Sequence, residues 1–540
     1  MRQTRFLALI LAGVASAATG LADTRADQIL DRIEAGEQQF VDQMKVMHPF
    51  VETYVQEWNH SGTAPSRDQY SLMRLDLAQN ADGTSMTKSG GFKPSVLDWV
   101  YQSQLRFSEA GFAGMIFPDP EGFNRATYKF DYARREFLGD IRCLVFEVSP
   151  LEGKGGGKFV GNIWVDDRDF RIVRFNGTFT HKFLKLYFHF DSWRVNAAPG
   201  IWVPAMVYVE EGNQAAKQSG KYNLKAQVRL WGYANKRGGN MDELSQIMVD
   251  SDAAVDNAGP KDVLPLESQR SWEREAEQNV LDKLERSGLL APKGDVDKVL
   301  DTVVNNLEVT NHIDADVHCR VLLTTPMETF SIYKTIVISR GLLDVLPDEA
   351  SLAMVLSGEL AHIALGHKTP TAFAFGDETM FSDRKILDKL NVARTPAEMA
   401  EAGRKSIEIL NNSPYADKLA NAGLFLKAVG SRMPSLTNLV SAHLGNEFAD
   451  RENLKRLAAL AQKAPPLDDA KIEQISALPL GSRVKLNPWT NQISLVKTEQ
   501  LTLTSAREKM PFEVTPVMLH LTRVVTDAEV KVAPQLGGSQ

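Results

Sequence analysis

Residues 351–370 read Ser-Leu-Ala-Met-Val-Leu-Ser-Gly-Glu-Leu-Ala-His-Ile-Ala-Leu-Gly-His-Lys-Thr-Pro. Glu359 and His362 stand three apart in a run that is otherwise apolar, from Ala350 through Leu352, Val355 and Leu356 to Leu360, Ile363 and Leu365. Such a helix must be buried, and an acid and an imidazole inside it need partners or a metal. In the spacing His-Glu-x-x-His, two imidazoles one turn apart hold zinc, and the glutamate between them activates the metal-bound water. Here the first of those positions is Gly358. The carboxylate that would serve as general base remains, and so does one imidazole.

That loss has chemical weight. A catalytic zinc needs three protein donors and an open position for water. One imidazole does not hold it, because affinity comes from several bonds acting together. Without the metal no water is acidified, and Glu359 has nothing to activate. A glycine in a helix also costs roughly 1 kcal/mol against alanine. His367, His443 or a residue from elsewhere in the chain are the donors that could rebuild a site.

The surroundings carry a resemblance. A strand at 334–339, then Gly341-Leu342-Leu343, Glu349, Leu352-Ala353-Met354-Val355-Leu356, Glu359-Leu360-Ala361-His362 and His367 resemble the HtpX and BepA-type peptidases, relatives of the CaaX prenyl protease. The likeness spans roughly residues 295–415. It implies a zincin fold, proteolysis and zinc. It also implies a third ligand, a glutamate in a downstream Glu-x-Glu-Ala-Asp helix whose aspartate supports the site. In one register the ligand position is Met399 and the aspartate position Gly403. In the other, Asn446-Glu447-Phe448-Ala449-Asp450, the ligand position is Asn446. Both lack the carboxylate, and Glu398 or Glu447, one residue away, is turned about 100° around a helix.

The expected protein is therefore a pseudopeptidase that binds a peptide or an envelope partner and holds no cofactor. Glu359 is its vestigial general base and His362 its remaining ligand, with Gly358 and Met399 at lost ligand positions. Two alternatives stay open. One is an active zinc endopeptidase with an unorthodox ligand set; the other is a lipid- or lipoprotein-handling protein acting through its N-terminal region.

The elements around this helix predict an α+β multidomain chain. Arg2 and Arg5, an apolar run from Phe6 to Ala18, and the small residues Ala15-Ser16-Ala17 or Gly20-Leu21-Ala22 read as a secretory signal over 1–22. Helical spacing runs over 24–58, and from about 69 to 233 the pattern is β: 142–148, 161–165, 170–175, 186–190, 202–208 and 226–231. This helix and antiparallel meander, with its strand, Asp166-Asp167 turn and strand, resembles the lipoprotein-carrier fold of the LolA and RseB type. The domain expected over 23–235 is a curved sheet with helices, followed by a linker over 236–267. A mostly helical zincin-like domain follows over 268–475, with strands at 319–324 and 334–339. A small β module over 476–540 has strands at 483–486, 492–496 and 514–519.

The 540 residues, 43% apolar and 24% charged, supply ample core, and a net charge of −7 gives no reason to expect nucleic acid. Past the signal no stretch is apolar enough to span a membrane, so the mature chain is expected in the periplasm or outside the cell. Cys143 and Cys319 fall in different expected domains and read as two buried thiols rather than a disulfide. His181 and His189, the Gly153–Gly157 turn, and Trp164, Trp193, Trp202 and Trp231 read as structural, although a half-open sheet could offer some of those tryptophans to an acyl chain or a peptide.

Overall fold

The computed structural model describes residues 26–58, 65–75, 84–85, 111–154, 156–180, 188–211, 223–233, 265–368, 390, 392–448, 457, 460, 462, 464–468, 484–496, 512–516 and 518–524. The expected signal segment, His181 and Asp450 lie outside them. The chain divides into two compact units. The first holds Met1–Val46, Ala113–Ala215 and Met518–Gln540; the second holds Met47–Phe112 and Ala216–Val517.

In the first unit, helix α1 (26–44) turns Ile33, Phe40, Val41 and Met44 inward on one stripe. Glu37 shares that stripe, and its charge is met by Arg194 at 2.7 Å, with both side chains at most 3% exposed. The sheet is an antiparallel meander of β4 (Tyr128–Leu138), β5 (Ile141–Pro150), β6 (Phe159–Asp166), β7 (Ile172–Phe179), β8 (Phe188–Ala198) and β9 (Ile201–Glu211). Trp164, Trp193 and Trp202 lie in its core with Cys143 and Leu521.

In the second unit, β1 (Phe50–Trp58) lies between β2 (Arg67–Arg74) and β10 (Asn223–Trp231), antiparallel to both. The two-residue β3 (Thr84–Ser85) pairs with β2. The helical spacing read over 24–58 therefore overruns: the helix ends at 44. Residues 50–58 are rich in β-branched and aromatic types and are buried on both faces, which removes the alternation that marks a strand. Glu52 is buried in β1 and accepts from Arg340 Nη2 at 2.7 Å and from the Tyr70 hydroxyl at 2.9 Å.

The expected helical region does carry helices: α2 (Pro265–Arg286), α3 (Asp295–Asn311), α4 (Arg340–Val345), α5 (Glu349–Ala364), α6 (Pro396–Asn411) and α7 (Leu419–Arg432). It also holds a four-stranded mixed sheet in the order β11-β13-β12-β14. Strands β11 (His318–Leu322) and β13 (Thr335–Ser339) match the sequence pattern. β12 (Glu328–Ile332) and β14 (Asn446–Glu447) are additional to it. A hairpin of β15 (Val484–Leu486) and β16 (Ile493–Leu495) forms the small C-terminal sheet, so the α+β class holds.

The strand expected over 514–519 does not form among its described residues. Its backbone is satisfied by a side chain instead: Val514 N–H donates to Gln56 Oε1 at 2.8 Å, and Gln56 Nε2 donates to the Phe512 carbonyl at 2.6 Å. Cys143 and Cys319 are buried free thiols, and burial pushes that of Cys143 up to about 12. Among the described residues no helix is long and apolar enough to cross a membrane.

Candidate functional site

Pro347 precedes the helix, and Asp348 caps it by accepting from Ser351 N–H at 2.9 Å. α5 packs against α3, α6, α7 and β12, which explains why it is apolar nearly all round. Ser357 and Ser406, both buried, pin α5 to α6 through a 2.6 Å hydroxyl pair.

Glu359 faces β12 and β14. Its Oε1 accepts from Thr329 Oγ1 at 2.8 Å and from Asn446 Nδ2 at 3.1 Å. Its Oε2 is buried with no hydrogen-bond partner among the described residues. β14 is held in place by Glu328, whose Oε2 accepts the successive N–H groups of His443, Leu444 and Gly445 at 3.0, 2.9 and 3.1 Å. The next residue is Asn446. Its carbonyl oxygen accepts from the Arg394 backbone N–H at 2.8 Å, so both ends of the amide are engaged.

His362 is 2% exposed and sits in the last turn of α5. The helix stops in a Schellman arrangement: Gly366 takes φ +70°, its N–H reaches Ile363 O at 3.0 Å, and His367 N–H reaches His362 O at 3.1 Å. That reversal folds His367 back onto His362, so the two Nδ1 atoms meet at 2.9 Å. His367 Nε2 in turn lies 3.3 Å from Glu401 Oε2. Burial holds the His362 imidazole below its usual range, opposed by the Glu359 charge and reinforced by Arg394 and His367.

Arg394 is a site residue that the sequence pattern did not single out. Its guanidinium donates to Ser331 O at 3.2 Å, Ser331 Oγ at 3.1 Å and His367 O at 3.3 Å. Burial lowers its pKa from the ordinary arginine value, and the charges of Glu359 and Glu398 oppose that shift. Thr329 and Glu328 were likewise not legible, since a five-residue strand with no alternation gives no signal of which face meets a helix.

A cavity of about 40 Å³ lies at this point, lined in part by Gly358, Glu359, His362, Met399, Gly403 and Asn446. It exceeds the roughly 10–15 Å³ a single water needs. Among the described residues, a Cβ built on Gly358 would meet no atom within 4 Å beyond its own helix backbone and chain neighbours, so the space beside it is open there. Both registers of the third ligand thus reach one cavity: Met399 and Asn446 line it together. Only Asn446 is hydrogen-bonded to Glu359. Glu398 instead caps α6, accepting from Thr395 N–H at 2.9 Å.

These side chains do not fit a catalytic zinc. Gly358 has no donor, Met399 offers a weak thioether, and Asn446 offers a neutral amide, its oxygen already accepting from Arg394, in place of a carboxylate. His367 approaches His362 as a hydrogen-bond partner at Nδ1, and His443 lies with its ring 5.2 Å from that of Tyr70. Among the described residues no group of three or more His, Cys, Asp or Glu side chains is arranged to hold a metal ion.

Residues 300–402 match Peptidase family M48. That stretch includes Gly358, Glu359, His362 and Met399, and it agrees with the peptidase resemblance drawn from the sequence. No curated protein matches the chain. Similar solved structures include a LolA superfamily protein from Nitrosomonas europaea, at 15% identity over 38% of this chain and 91% of that one, with a TM-score of 0.21. Another is a DUF1329 family protein from Desulfovibrio piger, at 12% identity over 36% of this chain and 90% of that one, with a TM-score of 0.18.

Proposed function

We propose that this chain is a non-hydrolytic relative of zinc peptidases, resident in the periplasm or secreted, that binds a peptide or an envelope protein. Glu359 is then a former general base kept as a structural acceptor, and His362 a former ligand kept as the partner of His367. The observation that carries the reading is the state of Asn446. Its amide donates to Glu359 at 3.1 Å and accepts from Arg394 at 2.8 Å, so this candidate third-ligand position carries a neutral amide engaged at both ends rather than a carboxylate. Gly358 supplies nothing on the other side.

The location rests on the N-terminal pattern of Arg2, Arg5 and the apolar run that follows. In the first unit Trp164, Trp193 and Trp202, which a half-open sheet could have offered to an acyl chain, are core residues. The test is elemental analysis of the purified protein together with cleavage of an unfolded protein substrate. The expected result is zinc far below one per chain, and no cleavage that a chelator abolishes. Stoichiometric zinc with chelator-sensitive cleavage would sink the reading.

A further inference from the structure

A buried carboxylate is costly unless a charge and hydrogen bonds meet it. Glu359 is 3% exposed, and its two hydrogen-bond donors, Thr329 and Asn446, are both neutral. In a metal-bearing site the ion would balance that charge. Here the donor set does not fit one, so the balance must come from elsewhere.

Strand β12 shows the source. Thr329 and Ser331 are two residues apart, so they project from the same face, with Cα atoms about 7 Å apart. Thr329 holds the Glu359 carboxylate, and Ser331 holds the Arg394 guanidinium through both its carbonyl and its hydroxyl. Asn446 ties the pair from the other side, donating to Glu359 and accepting from the Arg394 backbone. The third anchor of the guanidinium, the His367 carbonyl, sits just past the end of the helix that carries Glu359. Carboxylate and guanidinium are thus clamped to one strand face by a shared frame.

We propose that Arg394 is the resident cation of this site, a positioning residue that balances Glu359 and makes the constellation stable without a metal. The proposal rests on the non-hydrolytic reading given above. A long, always-charged side chain with a planar fork suits the task, since it can bond two carbonyls while its charge stays near the acid.

The test is a double-mutant cycle on the full chain, read as the unfolding equilibrium constant in a metal-free buffer. Arg394→Met keeps an apolar stem and deletes the charge; Glu359→Gln deletes the charge it balances. Arg394→Met is expected to raise the unfolding constant at least about threefold more in the wild-type background than in the Glu359→Gln background, the cost common to both being that of its three guanidinium hydrogen bonds. Arg394→Lys, which keeps the charge and loses the fork, is expected to raise the unfolding constant less than Arg394→Met does.

If Arg394→Met alone does not fold, recovery of folded protein by adding Glu359→Gln meets the same expectation, and failure of the double variant to fold overturns the proposal. Equal costs of Arg394→Met in the two backgrounds, or a lysine variant as weak as the methionine one, also overturn it, because the guanidinium would then serve only its hydrogen bonds. Zinc analysis of the same preparations separates the two ideas. Stoichiometric zinc overturns both, whereas equal costs in zinc-free protein overturn this one alone.

Discussion

Thr329 on β12 and Asn446 on β14 are direct cross-strand partners, and both donate to the same oxygen of Glu359. The acid is thereby fixed by sheet pairing rather than by its own helix. Removing either donor leaves a buried carboxylate short of a bond. Thr329→Val and Asn446→Ala are each expected to cost about 1–3 kcal/mol in chemical denaturation. Because they share an acceptor, the double variant should depart from additivity by at least about 0.5 kcal/mol.

Open space beside Gly358 makes the lost ligand restorable. Gly358→His alone should fold as wild type does and still hold no stoichiometric zinc, since two imidazoles fall short of three donors. Gly358→His with Asn446→Glu supplies the third and is expected to bring zinc toward one per chain. The parallel pair Gly358→His with Met399→Glu should do less, because Met399 makes no hydrogen bond to Glu359 while Asn446 does. Zinc measured after dialysis decides between them.

The buried His362 gives stability a pH dependence. Its folded pKa lies below the ordinary value of 6.5, with burial the largest cause, so the unfolded chain binds the proton first as pH falls. Stability is expected to be full above about pH 7 and to fall as the pH drops below about 6.5. His362→Gln should flatten that decline, as seen in urea midpoints measured from pH 7.5 to 5.5.

Gly366 occupies the left-handed region at φ +70°, with open space among the described residues where a Cβ would go. Gly366→Ala therefore meets a backbone penalty and no clash, and is expected to cost about 1 kcal/mol. It should also loosen the His362–His367 contact, visible as a shift in the histidine ring resonances.

Glu52 and Arg340 form a buried ion pair at 2.7 Å, with side chains 1% and 4% exposed. Removing one partner strands the other. Glu52→Ala is expected to cost about 3–5 kcal/mol in an equilibrium unfolding experiment, more than any single change around Glu359.

Much was legible because it depends on short-range pattern. The apolar run around Glu359 announced a buried helix, and the Gly358-Glu359-x-x-His362 spacing marked the site with a donor gone. The strands from 142 to 231 showed through β-branched and aromatic residues between turns. A strand of two residues, 87 residues beyond Glu359, cannot be read that way: β14 follows directly on the 443–445 backbone, whose three N–H groups Glu328 gathers. The rule that a strand alternates failed at β1 and β12 for the same reason, since both faces of each are covered by other elements of the chain.

What the sequence settled by itself is the inventory: a carboxylate, an imidazole and a glycine on one buried helix, with two candidate registers for a third ligand. Tertiary structure decided their relations. It put Met399 and Asn446 on one cavity, turned the Asn446 amide toward Glu359, and brought in Arg394, 35 residues along the chain from Glu359, as a neighbouring cation. Charge balance in a buried site depends on distances through space, and spacing along the chain carries no record of them.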